Sequence, residues 1–109
     1  MWWNPAESGW GAALTQKDST IFLAWYVYDD SGNPVWYVAT CQVDAGGTFA
    51  SGTLFSTTGP PLGTSFDPSQ VQVFQAGNVH IIFNDANNGD LFYTVGSVTD
   101  HRPITRQLF

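Results

Sequence analysis

Residues 20–43 read TIFLAWYVYDDSGNPVWYVATCQV. Two runs rich in β-branched and aromatic residues flank Asp29-Asp30-Ser31-Gly32-Asn33-Pro34, a cluster whose members are turn formers. The reading is a β-hairpin, with strands over Thr20–Asp29 and Val35–Val43. Neither run shows the three-to-four-residue spacing of an amphipathic helix.

The same grammar continues in both directions. Upstream, Trp10 to Gln16 alternates Trp10, Ala12 and Leu14 against Gly11, Ala13 and Thr15, and the polar turn Lys17-Asp18-Ser19 follows. Downstream, Asp44-Ala45-Gly46-Gly47 turns the chain into a strand over Thr48–Thr57, with Gly52 marking a bulge or bend. Gln70–Gln75, Val79–Phe83, Leu91–Val95 and Val98–Phe109 read as further strands. Their expected turns are Ala76-Gly77-Asn78 and Asn84–Asp90, and Pro103 interrupts the last strand. Thr58–Ser69, with Gly59-Pro60-Pro61, Gly63 and Asp67-Pro68, lacks periodicity and reads as a long functional or covering loop. The fold class is therefore all-β: about eight antiparallel strands in an up-and-down meander, closed like a barrel so that no edge is left open. A two-sheet β-sandwich, with the long loop as crossover, is the alternative.

Residues 1–9 stand apart. Trp2-Trp3-Asn4-Pro5-Ala6-Glu7-Ser8-Gly9 leads into Trp10, so three of the five tryptophans fall within ten residues. Pro5 fixes its own φ and biases Asn4 toward an extended conformation, so the segment reads as an aromatic plug ahead of the first long strand.

The 109 residues suit one domain, able to bury roughly two thirds of its unfolded surface. Only 11% of residues are charged, against about 25% in typical domains, and polarity comes from Thr, Ser, Asn, Gln and Gly. That balance leans toward an exported β module. Net charge is −6, with Lys17, Arg102 and Arg106 as the only basic side chains. Three scattered cations cannot track a phosphate backbone or an anionic membrane surface, which argues against nucleic acid and lipid partners. No apolar run is long enough for a spanning helix, so membrane insertion is not expected. Cys41 is the single cysteine and reads as a small buried hydrophobe.

The strands are apolar on both faces. Ile21, Leu23, Trp25 and Val27 oppose Phe22, Ala24, Tyr26 and Tyr28; Trp36 and Val38 oppose Val35, Tyr37 and Ala39. One core cannot take both faces of a closed sheet. The surplus aromatic side must meet the N-terminal segment and long loop, a second copy, or a ligand. Trp2, Trp3, Trp25, Tyr26, Trp36 and Tyr37 are the candidate residues for a ligand or partner, since aromatic rings offer large area with few rotatable bonds. Glu7, Trp10 and Arg106 form an expected structural clasp, in which Arg106 on the last strand stacks on Trp10 or pairs with Glu7 on the first.

The catalytic inventory is thin. His80 and His101 lack a placed nucleophile, and there is no Gly-x-Ser-x-Gly elbow. Glu7 with Asp29 or Asp30 could be imagined as a glycosidase pair, but nothing in the sequence fixes their separation. Asp85-Ala86-Asn87-Asn88-Gly89-Asp90 faintly echoes a calcium loop without its closing Glu, and zinc-ligand spacing is missing. The expectation is no catalytic residue, no metal and no cofactor. The leading function is a non-catalytic accessory module that uses surface aromatics for glycan or protein recognition or for self-assembly. A minor hydrolytic enzyme is the reading from another class.

The opening WWNPAESGWG, with TIFLAWYVYDDSGNPVWYV, SGTLFSTTGPPLGTSFDP and the closing ITRQLF, resembles a recurring β domain of predicted secreted or cell-surface proteins of Gram-negative bacteria. The resemblance covers nearly the whole chain. It implies export and a place within a larger protein, as an accessory β domain whose role is unsettled. A second likeness is architectural. Eight antiparallel strands, a Gly-Trp near the start and an Arg on the last strand look like the calycin barrels, the lipocalins and avidins. These open with Gly-x-Trp, whereas here Trp10 directly follows Gly9. That likeness implies a barrel binding a small hydrophobic ligand in its interior.

Overall fold

A computed structural model of the chain, describing residues 1–63 and 65–108, shows how the alternating strands close. Among the described residues there are eight strands: β1 Trp2–Trp3, β2 Gly11–Lys17, β3 Thr20–Tyr28, β4 Pro34–Val43, β5 Phe49–Thr58, β6 Gln72–Phe83, β7 Asn88–Val95 and β8 Val98–Arg106. Each pairs antiparallel with the next, and β8 returns to β1, so the sheet is a closed up-and-down barrel. Thr64 in the long loop and Phe109, the expected end of the last strand, lie outside the described residues.

The total of eight is reached differently from the expected division. Trp2-Trp3 is itself a strand, pairing with β2 through Trp2↔Ala12 and with β8 through Trp2↔Arg106. The backbone bond from Gln107 N–H to the Met1 carbonyl, 2.8 Å, extends that seam. Conversely, Ala76-Gly77-Asn78 is no hairpin: β6 runs unbroken from Gln72 to Phe83. Leu54 pairs with Gly77 and Phe55 with Gln75, so Ala76 is the extra residue of a β-bulge. Gly77 is there for close approach. A Cβ at this position would overlap the Thr94 carbonyl oxygen on β7. The bulge thus falls opposite Leu54 and Phe55, not at Gly52. Pro103 sits inside β8 opposite Asp90 without breaking the strand, and β7 begins at Asn88, earlier than expected.

The turns follow their chemistry. Asp29 Oδ1 accepts the N–H groups of Ser31 and Asn33 at 3.0 and 2.9 Å and shapes the β3–β4 connection. Asp85 Oδ1 does the same for Asn87 N–H at 2.8 Å in the β6–β7 turn. Asn4 caps a single 3₁₀ turn, Pro5–Glu7, by accepting from Ala6 N–H at 3.0 Å. Asp67 caps a second turn, Pro68–Gln70, within the long loop.

Alternation puts one face of every strand inside. Eight strands leave an interior just wide enough for side chains to fill. Leu23, Leu54, Ile81, Leu91 and Cys41 fill it and are fully buried. Large and small residues face one another across the ladders: Trp2 and Trp25 both lie opposite Ala12, and Leu23 lies opposite Ala39. Burial pushes the Cys41 thiol up from its ordinary value, in keeping with a packing role. These side chains fill the middle of the barrel, where a calycin-like carrier would hold the deepest part of its chamber.

Two substitutions test this packing. Gly77→Ala should cost at least ~2 kcal/mol in urea denaturation, because two backbones must move apart. Trp2→Ala should cost about 3–5 kcal/mol as a large core truncation, far more than Arg106→Ala. Equal losses from Trp2→Ala and Arg106→Ala would contradict the placement of Trp2 in the core.

Candidate functional site

The six aromatic candidates sort into two neighbouring rows that cross the strands. The inner row follows the pairs Trp2↔Ala12, Ala12↔Trp25 and Trp25↔Tyr37. Trp2 and Trp25 are buried there, 4% and 5% exposed, and Tyr37 is half-buried. The outer row follows Trp3↔Gly11, Gly11↔Tyr26 and Tyr26↔Trp36. Tyr26 is 48% exposed and Trp36 53%, while Trp3 is half-buried. So three of the candidates are interior residues and three belong to the outer face. A period of two forces this result: Trp2 with Trp3, Trp25 with Tyr26 and Trp36 with Tyr37 are sequence neighbours and must point to opposite sides.

Within the outer row, Gly11 leaves a notch between Trp3 and Tyr26. The Met1 side chain occupies it: a Cβ on Gly11 would lie 3.3 Å from Met1 Cε. With strands about 4.8 Å apart, Trp3 and Trp36 sit roughly 14 Å apart across the sheet. Phe22 and Tyr28 share the outward side of β3 and are also exposed, at 48% and 59%. Phe22 has the uncharged cross-strand neighbours Thr15 and Thr40 and Tyr28 has Pro34, while Thr20, between the charged Lys17 and the neutral Gln42, marks the far edge. The N-terminal segment contributes Met1 and Trp3 to this face but does not cover Tyr26 or Trp36. The long loop leaves Leu62 exposed rather than folded down as cover.

A second outer feature was not legible in the sequence. Phe49, His80, Phe92 and His101 stack in succession across β5, β6, β7 and β8, with ring centroids 5.2, 4.5 and 5.0 Å apart. The last two contacts join directly opposed residues, His80↔Phe92 and Phe92↔His101. Such cross-strand stacks stabilise a sheet by about 0.5–1.5 kcal/mol per pair.

The expected clasp of Arg106 with Trp10 or Glu7 does not form; Arg106 and Glu7 each meet another partner. Arg106 lies over the Trp2 ring at 5.0 Å, not over Trp10, and donates through Nε and Nη2 to the Ala86 carbonyl at 3.3 and 3.0 Å. Glu7 instead meets Arg102, Oε1 to Nε 3.4 Å, and also accepts from Asn4 Nδ2 at 3.2 Å. The cause is register. Pairing Trp2 with Arg106 sends Glu7, beyond the end of β1, toward earlier residues of the antiparallel β8. Arg102 Nη1 also donates to Asp100 Oδ2 at 2.6 Å.

The ends of the barrel also hold concavities. At the end carrying the 29–33 and 96–97 connections, a cavity of about 460 Å³ is lined by Trp25, Tyr28, Tyr37, Tyr93, Asp29 and Asp30, among others. A smaller one, about 260 Å³, shares Trp25, Tyr28 and Tyr93 with it and adds Glu7, Trp10 and Arg102. The Trp25 ring contacts Tyr37 at 5.6 Å and Tyr93 at 4.8 Å between centroids. Trp25 Nε1–H is buried and has no acceptor among the described residues. The opposite end has a cavity of about 420 Å³ beside Trp2, Phe83, Asp85 and Arg106.

Among the described residues, no group of three or more His, Cys, Asp or Glu side chains is placed to hold a metal ion. Asp85, in the stretch resembling a calcium loop, is occupied with Asn87 N–H and Asn88 Nδ2. No helix is long and apolar enough to cross a membrane among the described residues.

The fold and these surfaces define a small closed all-β barrel with a packed interior and an exposed aromatic cluster, an arrangement of the binding-module type. Comparison with known proteins gives no match, whether to a family model, a curated protein or a solved structure.

The Asp100 carboxyl is held below its ordinary value, first by the His101 N–H at 2.8 Å and then by Arg102. A depressed folded-state pKa contributes stability that is present above the unfolded value and is lost as pH falls through the folded one. Asp100→Asn should therefore melt below the parent at pH 7, and the gap should close as pH falls beneath the ordinary carboxylate value of 3.8. Thermal melts at matched ionic strength from pH 7 to pH 2.5 would show it; a gap unchanged across that range would contradict the assignment.

Proposed function

We propose that the protein is a non-catalytic recognition module of an exported protein, and that its outer row of Trp3, Tyr26 and Trp36 is a platform for a neutral glycan. The carrying observation is that Tyr26 and Trp36, directly opposite on β3 and β4, stay about half exposed although the barrel has a complete apolar core. Large contiguous aromatic exposure on a small protein marks an interaction surface. Rings set in a row across a sheet suit a flat, extended partner. Further along the outward side of β3, Phe22 lies between Thr15 and Thr40, whose hydroxyls bring hydrogen-bonding groups without charge to the same face, which suits hydroxyl-rich ligands. The net charge of −6 disfavours an anionic polymer. The resemblance to an exported accessory β domain agrees with this reading.

Native gel electrophoresis through embedded neutral polysaccharides tests it. The parent protein should be retarded by at least one polymer. Trp36→Ala and Tyr26→Ala should lose that retardation while melting within about 0.5 kcal/mol of the parent, as expected for exposed sites. Unretarded migration of the parent through β-glucan, mannan, xylan and soluble chitin derivatives would overturn the glycan reading. Sizing chromatography of the same variants reads self-association separately: elution of the parent as a multimer that Trp36→Ala converts to monomer would assign the row to an interface instead.

A further inference from the structure

We infer that the barrel mouth lined by Trp25, Tyr28, Tyr37, Tyr93 and Asp30 is a pocket for the terminal sugar residue of the glycan, so that the protein recognises chain ends. The inference rests on the platform reading and extends it, because Tyr28 joins the two surfaces. Tyr28 follows Tyr26 by two residues on the outward side of β3, and it lines both cavities of the mouth.

The chemistry of the lining selects the ligand class. Four aromatic rings supply apolar faces, while the Tyr28, Tyr37 and Tyr93 phenols and the Ser97 hydroxyl can each donate and accept. Asp30 lies exposed at the rim, whereas Asp29 is tied to the loop through Ser31 and Asn33 N–H. A ligand with an apolar skeleton and many hydroxyls meets all of these groups. An anion would face two carboxylates of a chain already at −6. An organic cation would find the rings and carboxylates but would leave the Tyr28, Tyr37, Tyr93 and Ser97 hydroxyls unused. An acyl tail would need depth, and the middle of the barrel is filled by Leu23, Leu54, Ile81 and Leu91. That packed floor also sets the mode of binding. A saccharide cannot thread through the barrel, so only the end of a chain can enter, with the remainder running outward past Tyr28.

The test uses tryptophan fluorescence titration with neutral di- and trisaccharides, together with retention of the protein on a polysaccharide before and after mild hydrolysis. Short saccharides should bind the parent and Trp36→Ala alike. Tyr28→Ala and Asp30→Asn, both at exposed positions and expected to melt like the parent, should weaken short-saccharide binding by about tenfold, the loss of one stacking or hydrogen-bonding partner. Hydrolysis multiplies chain ends at constant mass and should raise the protein retained per unit mass. Retention that follows polymer mass whatever the number of ends would overturn chain-end recognition while leaving the platform intact. So would short saccharides that fail to bind, or that bind Tyr28→Ala and Asp30→Asn as tightly as the parent. Tetramethylammonium that quenches the fluorescence where sugars do not would assign the mouth to cations. Failure of the platform reading shows differently, as absence of retention of the parent on any polymer.

Discussion

The closure of the sheet through two residues governs the rest of the structure. Trp2 and Trp3 pair with β2 on one side and β8 on the other, and without them both of those strands would carry open edges. A two-residue strand offers few ladder bonds, so side chains must hold the seam. Trp2 does this by filling the interior beneath Arg106, with Phe83 edge-on at 5.6 Å between ring centroids. Beyond the seam, the Pro5–Glu7 turn brings Glu7 to Arg102, so the N-terminal segment is fixed to β8 at two heights. Exposed ion pairs contribute little. Burial of the Trp2 indole stabilises the seam far more.

That closure also decides what every aromatic residue does. Once the inside is fixed by Trp2, Leu23, Leu54 and Leu91, the pleat assigns each neighbour to the outside without regard to its hydrophobicity. Tyr26, Trp36, Phe22 and Phe92 are outside because Trp25, Tyr37, Leu23 and Leu91 are inside. On one side of the barrel the outward rings satisfy each other in the Phe49–His80–Phe92–His101 stack. On β3 and β4 they stand in a row half open to solvent. The two outer surfaces are thus physically distinct: one has its ring faces engaged with one another, and the other presents them.

The mouth is where inward and outward rows converge. Strands end there, so alternation no longer separates Tyr28 from Trp25 and Tyr93, and all three line one concavity. The packed core beneath keeps it shallow. It is better suited to holding the end of a molecule than to enclosing a whole one. Its polar groups belong to the strand ends and tight turns, where Asp, Ser and Gly serve the backbone first and leave some atoms free for a ligand.

What the sequence determined alone is the strand character, most of the turns, the antiparallel meander, and the excess of rings over one core. These follow from period-two alternation and from turn residues, which are local properties. It also determined that Cys41 packs as a small hydrophobe. Only the tertiary structure decided that Gly77 serves a bulge and not a hairpin, because the Thr94 carbonyl that demands a glycine is remote in sequence. The same holds for Trp2-Trp3, too short to register as a strand until β8 lies beside it, and for the meeting of Glu7 with Arg102 and of Trp2 with Arg106. The mouth, the His–Phe stack and the division of the six aromatic candidates into inner and outer rows all depend on register across several strands. Local sequence can fix the alternation of a strand, but which face turns inward is set by its neighbours.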